Sequence, residues 1–107
     1  MNPQFKKGVL ELIVLLSVSK KDMYGYELIL EVSKVTDVGE GTIYPLLRRL
    51  TNENYFETYL MQSTEGPSRK YYKITILGKK RLEELKQGWK EFSTSVSKFI
   101  KECETNE

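Results

Sequence analysis

The chain has 107 residues, of which 39% are hydrophobic and 30% charged, with a formal net charge of +2. This length and composition are typical of one compact domain, and so small a net charge indicates neither a nucleic-acid nor a membrane partner by itself. The chain has one cysteine, Cys103, and no histidine, which excludes disulfide frameworks, Cys/His zinc sites and histidine-based catalysis. We therefore expect no catalytic residues, no metal and no cofactor.

The first predicted element covers about residues 3–19 and is apolar on every side. Helical spacing favours a helix, and a central strand rich in Val, Ile and Leu is the alternative. A helix that is apolar all round must be covered all round, here partly from outside the domain. Its most apolar run, residues 9–18, contains Glu11 and is about half the length of a membrane span, so we expect no membrane partner and a cytoplasmic protein.

Two shorter helices follow. An amphipathic helix is predicted from residue 23 to about residue 36, and TDVGEG then forms a turn. The third helix has an apolar stripe that contains Ile43, Leu47 and Leu50, and we expect it to start near Thr42. Pro45 would then lie in the first turn, where no backbone hydrogen bond is lost. We expect the helix to end at residues 52–54, because Asn tolerates the left-handed conformation that closes a helix.

From Tyr55 the apolar period changes to two residues. The segments YFETYLMQ and KYYKIT, joined by STEGPSR, predict a hairpin with a long tip. Thr75 is then expected to cap a last helix from Ile76 to about Glu102. At about 1.5 Å per residue this helix would be roughly 40 Å long, more than so small a domain can cover. Its apolar residues follow a heptad spacing, and they are Leu82, Leu85, Trp89, Phe92, Val96 and Phe99.

This heptad seam predicts a homodimer interface, because without a partner helix it would leave Trp and Phe side chains in water. The alternative is a helix that folds back on its own core. The order of elements predicts a mainly α fold with a two-stranded β-hairpin. We expect a winged helix-turn-helix domain at residues 1–75 and a C-terminal dimerisation helix at residues 76–107.

In such a fold the third helix anchors through its apolar side and contacts DNA through the other side. Arginine there can bind phosphates or guanine, and a helix N-terminus favours a phosphate. The hairpin adds further basic residues near its tip. The predicted DNA contacts are Thr42, Tyr44, Pro45, Arg48, Arg49, Arg69, Lys70 and Lys73. A basic face that is merely solvated is the alternative for any one of these arginines.

Three groups of residues resemble the motif series of PadR-type winged-helix transcriptional regulators. They are Tyr24-Gly25-Tyr26-Glu27-Leu28, then Gly41-Thr42-Ile43-Tyr44-Pro45-Leu46-Leu47 with Arg49-Leu50, and Gly66-Pro67-Ser68-Arg69-Lys70-Tyr71-Tyr72 with Thr75 and Gly78. With its single C-terminal helix, the chain resembles a compact subfamily of this family, which includes multidrug-responsive repressors. The resemblance implies a homodimer on an inverted-repeat operator of double-stranded DNA, with the third helix in the major groove and the wing tip near the minor groove. Asn54 stands where the family commonly has glycine.

Trp89 is the only tryptophan, and Gly88 before it costs a helix about 1 kcal/mol, which indicates a need for space or close approach. In the drug-binding relatives, a tryptophan at this place lines a pore at the dimer centre and stacks on flat ligands. The equally open alternative is a Trp packed in the dimer core against its symmetry mate or against Val9 and Ile13. If this place holds a pocket, the predicted effector-binding residues are Trp89, Val9 and Ile13, with Ser93 as a polar neighbour. Such a pocket would suit a planar, hydrophobic, cationic compound.

We therefore expect a dimeric repressor in which a planar hydrophobic small molecule, bound between subunits, changes the separation of the two reading helices. A winged-helix protein-protein adaptor without a ligand response is the alternative. An enzyme is not expected, because the sequence offers no convergent nucleophile, base or metal cluster.

Overall fold

The structure is a computed structural model that describes the backbone of residues 3–105 and the side chains of residues 8–105. The elements are α1 (Pro3–Lys20), β1 (Met23–Tyr24), α2 (Gly25–Ser33), α3 (Glu40–Asn52), β2 (Phe56–Ser63), β3 (Gly66–Ile74) and α4 (Ile76–Thr105). This is a winged helix-turn-helix followed by a long C-terminal helix, which confirms the predicted fold class. Within residues 3–105, no helix is long and apolar enough to cross a membrane.

The first element is a helix, as its spacing predicts, and the strand alternative is wrong. α1 contacts α2, β3 and α4, so it lies at the centre of the fold. Its buried apolar residues are Leu10, Leu12, Val14, Leu15 and Val18. Most of the cover that this helix needs therefore comes from its own chain, and Leu16 is one of its apolar residues that stay exposed.

The sheet has three antiparallel strands in the order β1-β3-β2, where the sequence predicted only the two-stranded hairpin. Met23 and Tyr24 pair with Tyr72 and Tyr71, so they form a strand before α2 and not the start of that helix. Two residues are too short to show an alternating pattern. The backbone N–H of Tyr24 donates to the Glu27 carboxylate at 3.2 Å, which helps to start α2 at Gly25.

The β2–β3 hairpin, called the wing below, has a shorter tip than predicted. Ser63 pairs with Gly66, which leaves only two residues, Thr64 and Glu65, to connect the strands. The register is irregular between Met61 and Ser63. Pro67 lies across from this irregularity, where a residue without a backbone N–H is tolerated in a strand.

α3 begins earlier than predicted, at Glu40, because the Gly39 carbonyl accepts from the N–H groups of both Thr42 and Ile43, at 3.2 and 3.1 Å. The prediction that Pro45 lies in the first turn is therefore wrong. Its missing N–H leaves the carbonyl of the exposed Gly41 without the usual donor four residues on, and water can hydrate that carbonyl.

The end of α3 is as predicted. Asn54 has a φ of 66°, in the left-handed region, and the Tyr55 N–H donates to the Leu50 carbonyl at 2.9 Å. This 6→1 hydrogen bond satisfies a carbonyl of the last turn. The chain then turns directly into β2.

α4 starts with the predicted cap, since the Thr75 hydroxyl accepts from the Gly78 N–H at 2.9 Å. Gly78 is buried against the Tyr55 carbonyl and the Ile74 side chain, with no room for a Cβ atom. Leu82 is 5% exposed and lies in the same core. The first turns of α4 are thus part of the winged-helix packing, while residues 86–105, called distal α4 below, are almost all exposed.

Candidate functional site

A groove of about 350 Å³ lies where α2, α3 and the wing meet, and we call it the basic groove. Its lining residues are Tyr24, Gly25, Tyr26, Tyr44, Arg48, Arg69, Lys70 and Tyr72. Three of these side chains are cationic, four carry a phenol group and none is acidic. Residues distant in the sequence therefore meet at one concave surface.

Gly25 sets how closely α2 and α3 approach one another. The ring of Tyr44 lies directly against the Gly25 backbone, where a Cβ atom would collide with it. Tyr44 is half-buried and packs against the core, so its ring forms a wall of the basic groove between the two helices. The tight contact explains why glycine stands between Tyr24 and Tyr26.

A ladder of aromatic rings fixes the wing to the start of α2. The Arg69 guanidinium lies 4.6 Å from the centre of the Tyr24 ring, an arrangement that attracts a cation to the π face. Tyr24 meets Tyr71 edge to face at 5.5 Å, and Tyr71 stacks on Tyr59 at 5.6 Å. The Tyr59 hydroxyl donates to Asp22 at 2.6 Å, and this hydrogen bond raises the pKa of Tyr59 to about 12. The wing therefore has a defined orientation relative to α2.

The electrostatics of the basic groove suit an anion. Arg48, Arg69 and Lys70 are exposed, so they are available to a ligand. Burial raises the pKa of the Tyr72 hydroxyl, and nearby Tyr44 adds to this while Arg48 opposes it. That phenol therefore stays protonated at neutral pH and can donate a hydrogen bond. Guanidinium, ammonium and hydroxyl donors are the groups that proteins use to hold DNA phosphates.

The structure brings together four of the eight predicted DNA contacts in the basic groove: Tyr44, Arg48, Arg69 and Lys70. Thr42 and Pro45 are exposed on α3, outside the lining of the groove. Lys73 is exposed on β3 and is paired in register with Glu57 of β2, an acidic neighbour across the ladder. None of these three residues is among those that line the groove.

The position of Arg49 differs from the prediction, which put it on the outer face of α3 with Arg48. Its Nη2 donates to Glu11 of α1 at 3.2 Å, and its Nη1 lies 3.2 Å from both carboxylate oxygens of Glu53. Burial lowers the pKa of Arg49, but the hydrogen bonds to Glu53 and Glu11 outweigh it and the pKa is raised. Adjacent helical residues differ by 100°, which is enough to turn Arg49 towards α1 while Arg48 faces the groove.

Sequence reasoning missed Tyr24, Tyr26 and Tyr72 as lining residues. Tyr24 and Tyr26 flank the glycine of the first motif, and a glycine between two tyrosines just before a helical stripe is a signal of close backbone approach. The sequence alone does not show that Tyr44 is the ring that uses this space. Tyr72 is buried on β3, and its position becomes visible only when β3 is paired with β1.

A second groove, of about 300 Å³, lies between α1 and α4, and we call it the apolar groove. Its lining residues are Gly8, Val9, Leu12, Glu84, Leu85, Gly88, Trp89 and Phe92. Two of the four predicted effector residues, Val9 and Trp89, meet here, and Trp89 is 42% exposed. The space around Gly88 is open within the chain. The Gly88 backbone and the Trp89 ring therefore form one side of this groove.

The other two predicted effector residues do not line the apolar groove. Ile13 packs against the hydrophobic core. The Ser93 hydroxyl donates to the Lys90 carbonyl of its own helix at 3.3 Å. The polar residue that does line the groove is Glu84, which the sequence did not single out.

The six residues predicted for the dimer seam fall into two environments. Leu82 lies in the core of its own chain and Leu85 packs against that core, because the start of α4 rests on α1. Further along, Phe92 is 55% exposed, and Val96 and Phe99 are exposed as well. Ile100 is an exposed apolar residue that the heptad pattern missed. The apolar surface available to another molecule therefore begins near Trp89.

Comparison with known proteins gives a consistent result. Residues 14–84 match the model of a family described as the transcriptional regulator PadR-like family. A PadR-like transcriptional regulator from Bacillus cereus is 46% identical, with a TM-score of 0.82 over 91% of this chain and 96% of its own. A Streptococcus transcriptional regulator is 35% identical, with a TM-score of 0.83 over 92% and 99% of the two chains. An uncharacterized protein from Lysinibacillus sphaericus is 36% identical over 92% of this chain and 94% of its own.

Proposed function

Because the chain belongs to the PadR-like family of transcriptional regulators, we propose that it is a cytoplasmic, homodimeric repressor that binds an inverted-repeat operator of double-stranded DNA. The family consists of transcriptional regulators, so the prediction that the chain is not an enzyme is confirmed. The residues proposed to contact DNA are those of the basic groove together with the exposed Thr42, Pro45 and Lys73. Arg49 is not among them, because its guanidinium binds Glu11 and Glu53.

The observation that carries the proposal is the basic groove. Arg48, Arg69 and Lys70 come from α3 and the wing and line one concave surface with no acidic residue among them. The outer side of α3 can enter the major groove while the basic groove holds a backbone phosphate beside it. Each cation that neutralises a phosphate also releases counterions, which makes the affinity depend on salt.

The homodimer is proposed from distal α4. Phe92, Val96 and Phe99 recur at heptad spacing and are exposed on the single chain, so a second α4 packing against them would remove this surface from water. A two-fold symmetric dimer presents two copies of α3. Two copies match an inverted repeat whose half-sites lie about one DNA turn apart, roughly 34 Å.

A ligand response is proposed from the apolar groove. Its walls include Val9, Leu12, Trp89 and Phe92, and Glu84 is the one charged residue among those that line it. Such walls suit a planar hydrophobic molecule, and the carboxylate favours one with a positive charge. Because the groove lies between α1 and α4, a bound molecule would separate these helices and change the spacing of the two α3 helices in the dimer.

The DNA site is tested with a duplex recovered by selecting bound fragments from genomic DNA. Arg48→Ala and Arg69→Ala should each weaken binding about tenfold in a gel-shift titration, and each should reduce the slope of log affinity against log salt by about 0.9. Lys80→Ala is the matched control, since it removes an exposed positive charge of α4 away from the groove. Wild-type affinity in both arginine variants would refute the proposed site.

The ligand site is tested with two flat dyes of similar shape, cationic 9-aminoacridine and neutral acridine. Both should quench Trp89 fluorescence at pH 7.5, and the cation should bind more tightly. Glu84→Gln should remove most of this preference and leave the affinity for acridine unchanged. If neither dye changes the fluorescence, Trp89 is a packing residue of the dimer and the ligand response is refuted.

A further inference from the structure

One carboxylate connects three helices. Glu11 of α1 is 7% exposed, and each of its two oxygens accepts from a different helix. Oε2 accepts from Nη2 of Arg49, on α3, at 3.2 Å. Oε1 accepts from Nε of Arg81, on α4, at 3.1 Å. Glu11 therefore links α3, the helix proposed to contact DNA, to α4, the helix proposed to form the dimer.

Both arginines are needed to hold this buried charge. An ionised carboxylate that is removed from water requires charged partners and hydrogen bonds on both oxygens. The outer partners of the same arginines are more exposed: Arg49 also contacts Glu53, and Arg81 lies 3.9 Å from Glu84. The hydrogen bond to Glu11 raises the pKa of the Arg81 guanidinium, which stays charged. The least solvated contact of each arginine is thus the one to Glu11.

The Arg49–Glu11 and Arg81–Glu11 contacts, together called the bridge below, also lie between the two grooves. Val9 and Leu12, on either side of Glu11 along α1, line the apolar groove, as do Glu84 and Leu85, one turn after Arg81 on α4. At the other end, Arg48 lines the basic groove and is the residue before Arg49 on α3. A shift of α1 against α4 would therefore strain the Glu11–Arg81 contact at the same helices that carry the apolar groove.

We infer that Glu11 is a positioning residue for DNA binding: its carboxylate holds α3 in a fixed orientation relative to α4, and so places Arg48 in the basic groove. The inference rests on the proposed function for its DNA readout. It adds that a contact on α4, outside the basic groove, controls DNA affinity through Glu11. Through the same contacts, a molecule in the apolar groove that shifts α1 against α4 would change the orientation of α3.

The first test removes the α4 end of the bridge. Arg81→Met should weaken binding of the selected duplex about tenfold, because α3 loses its fixed orientation. Lys80→Met removes the same charge from the adjacent residue of α4 and should change the affinity by no more than about twofold. All variants are compared at a temperature where circular dichroism shows full folding. Equal losses in the two variants would mean that only net charge matters, which overturns the inference.

The second test asks whether Arg81 acts through Glu11. Glu11→Gln should weaken DNA binding by a similar factor, and adding Arg81→Met to that variant should cause little further loss. Residues that act through one shared contact give non-additive effects, while independent residues give additive ones. Full additivity of the two losses would overturn the inference, even with each single variant impaired.

A third readout does not depend on DNA. If the wild-type protein binds no duplex, the proposed function fails, and the bridge is then judged by NMR of the arginine guanidinium groups. Arg81→Met should shift the signals of Arg49, which lies on another helix, while Lys80→Met should leave them unchanged. Unchanged Arg49 signals in both variants would overturn the bridge as a link between α4 and α3.

Discussion

The two parts of α4 carry one continuous apolar pattern in two different environments. In the first turns, Leu82 is 5% exposed and Gly78 is packed against the Tyr55 carbonyl, so this part belongs to the core of the winged helix. In distal α4, Phe99 is 65% exposed. The chain therefore completes the packing of the first part by itself and leaves the apolar residues of the second part exposed, where the proposed dimer would cover them.

A substitution in distal α4 should have the largest effect, which is on the affinity of the proposed dimer. Phe92→Asp should weaken the proposed dimer about 1000-fold, because two-fold symmetry places two new carboxylates in one apolar seam. Lys90→Asp, an exposed position of the same helix, is the control and should leave the dimer intact. Light scattering after size exclusion measures the mass, and circular dichroism checks that the winged helix stays folded. A Phe92→Asp dimer as stable as the wild type would remove distal α4 from the interface.

Two glycines of α4, one in each environment, should respond in opposite ways to replacement by alanine. Gly78→Ala should lower the free energy of unfolding by about 3 kcal/mol, since its methyl group would collide with the Tyr55 carbonyl. Gly88→Ala should raise it by up to about 1 kcal/mol, because the space there is open and alanine favours a helix. Urea unfolding measures both. A destabilising Gly88→Ala would show that a second chain packs directly on the Gly88 backbone.

A smaller effect is expected where α3 turns into the wing. Asn54 has a φ of 66°, so Asn54→Ala should cost about 1 kcal/mol of stability, while Asn54→Gly should be neutral or stabilising. The measurement is the change in the midpoint of thermal unfolding for both variants. Equal midpoints for alanine and glycine would contradict the assigned backbone conformation.

A small change in the free energy of unfolding is expected when the pH is lowered, because of Glu31. Hydrogen bonds from Lys34 and Lys20 lower the pKa of Glu31 from 4.5 to about 2 in the folded state. Its contribution to stability is therefore complete above pH 4.5 and is lost as the pH falls towards 2. Both ion pairs are near the surface, so the total loss should be about 0.5 kcal/mol. Glu31→Gln should flatten the stability profile in this range, and an unchanged profile would contradict the assignment.

Local signals in the sequence predict much of this fold. The helical spacing of α1, the left-handed Asn54 and the Thr75 cap are each determined by residues close together in the chain, and the structure has all three. The predicted start of α3, near Thr42, is two residues later than the observed start at Glu40, because the Gly39 carbonyl extends the helix without a side-chain cap. A backbone acceptor of this kind leaves no residue-specific signal.

Long-range contacts could not be predicted in the same way. A helical wheel puts Arg49 on the polar side of α3. Only the packing of α1 in the fold shows that Arg49 contacts Glu11. In the same way, the sequence shows Glu11 only as an interruption in an apolar run. The heptad pattern likewise does not reveal that Leu82 is covered by its own chain. Half of the predicted DNA contacts therefore meet in the basic groove, and the prediction leaves out Tyr24, Tyr26 and Tyr72, which line it as well.

The mass of the protein in solution shows whether a second copy covers the exposed apolar residues of distal α4, as proposed. Sedimentation equilibrium of the wild-type chain, at micromolar concentration and without DNA, should give twice the chain mass of 12.5 kDa. A mass of 12.5 kDa under these conditions, in a protein whose circular dichroism shows full helix content, would contradict a dimer formed through distal α4.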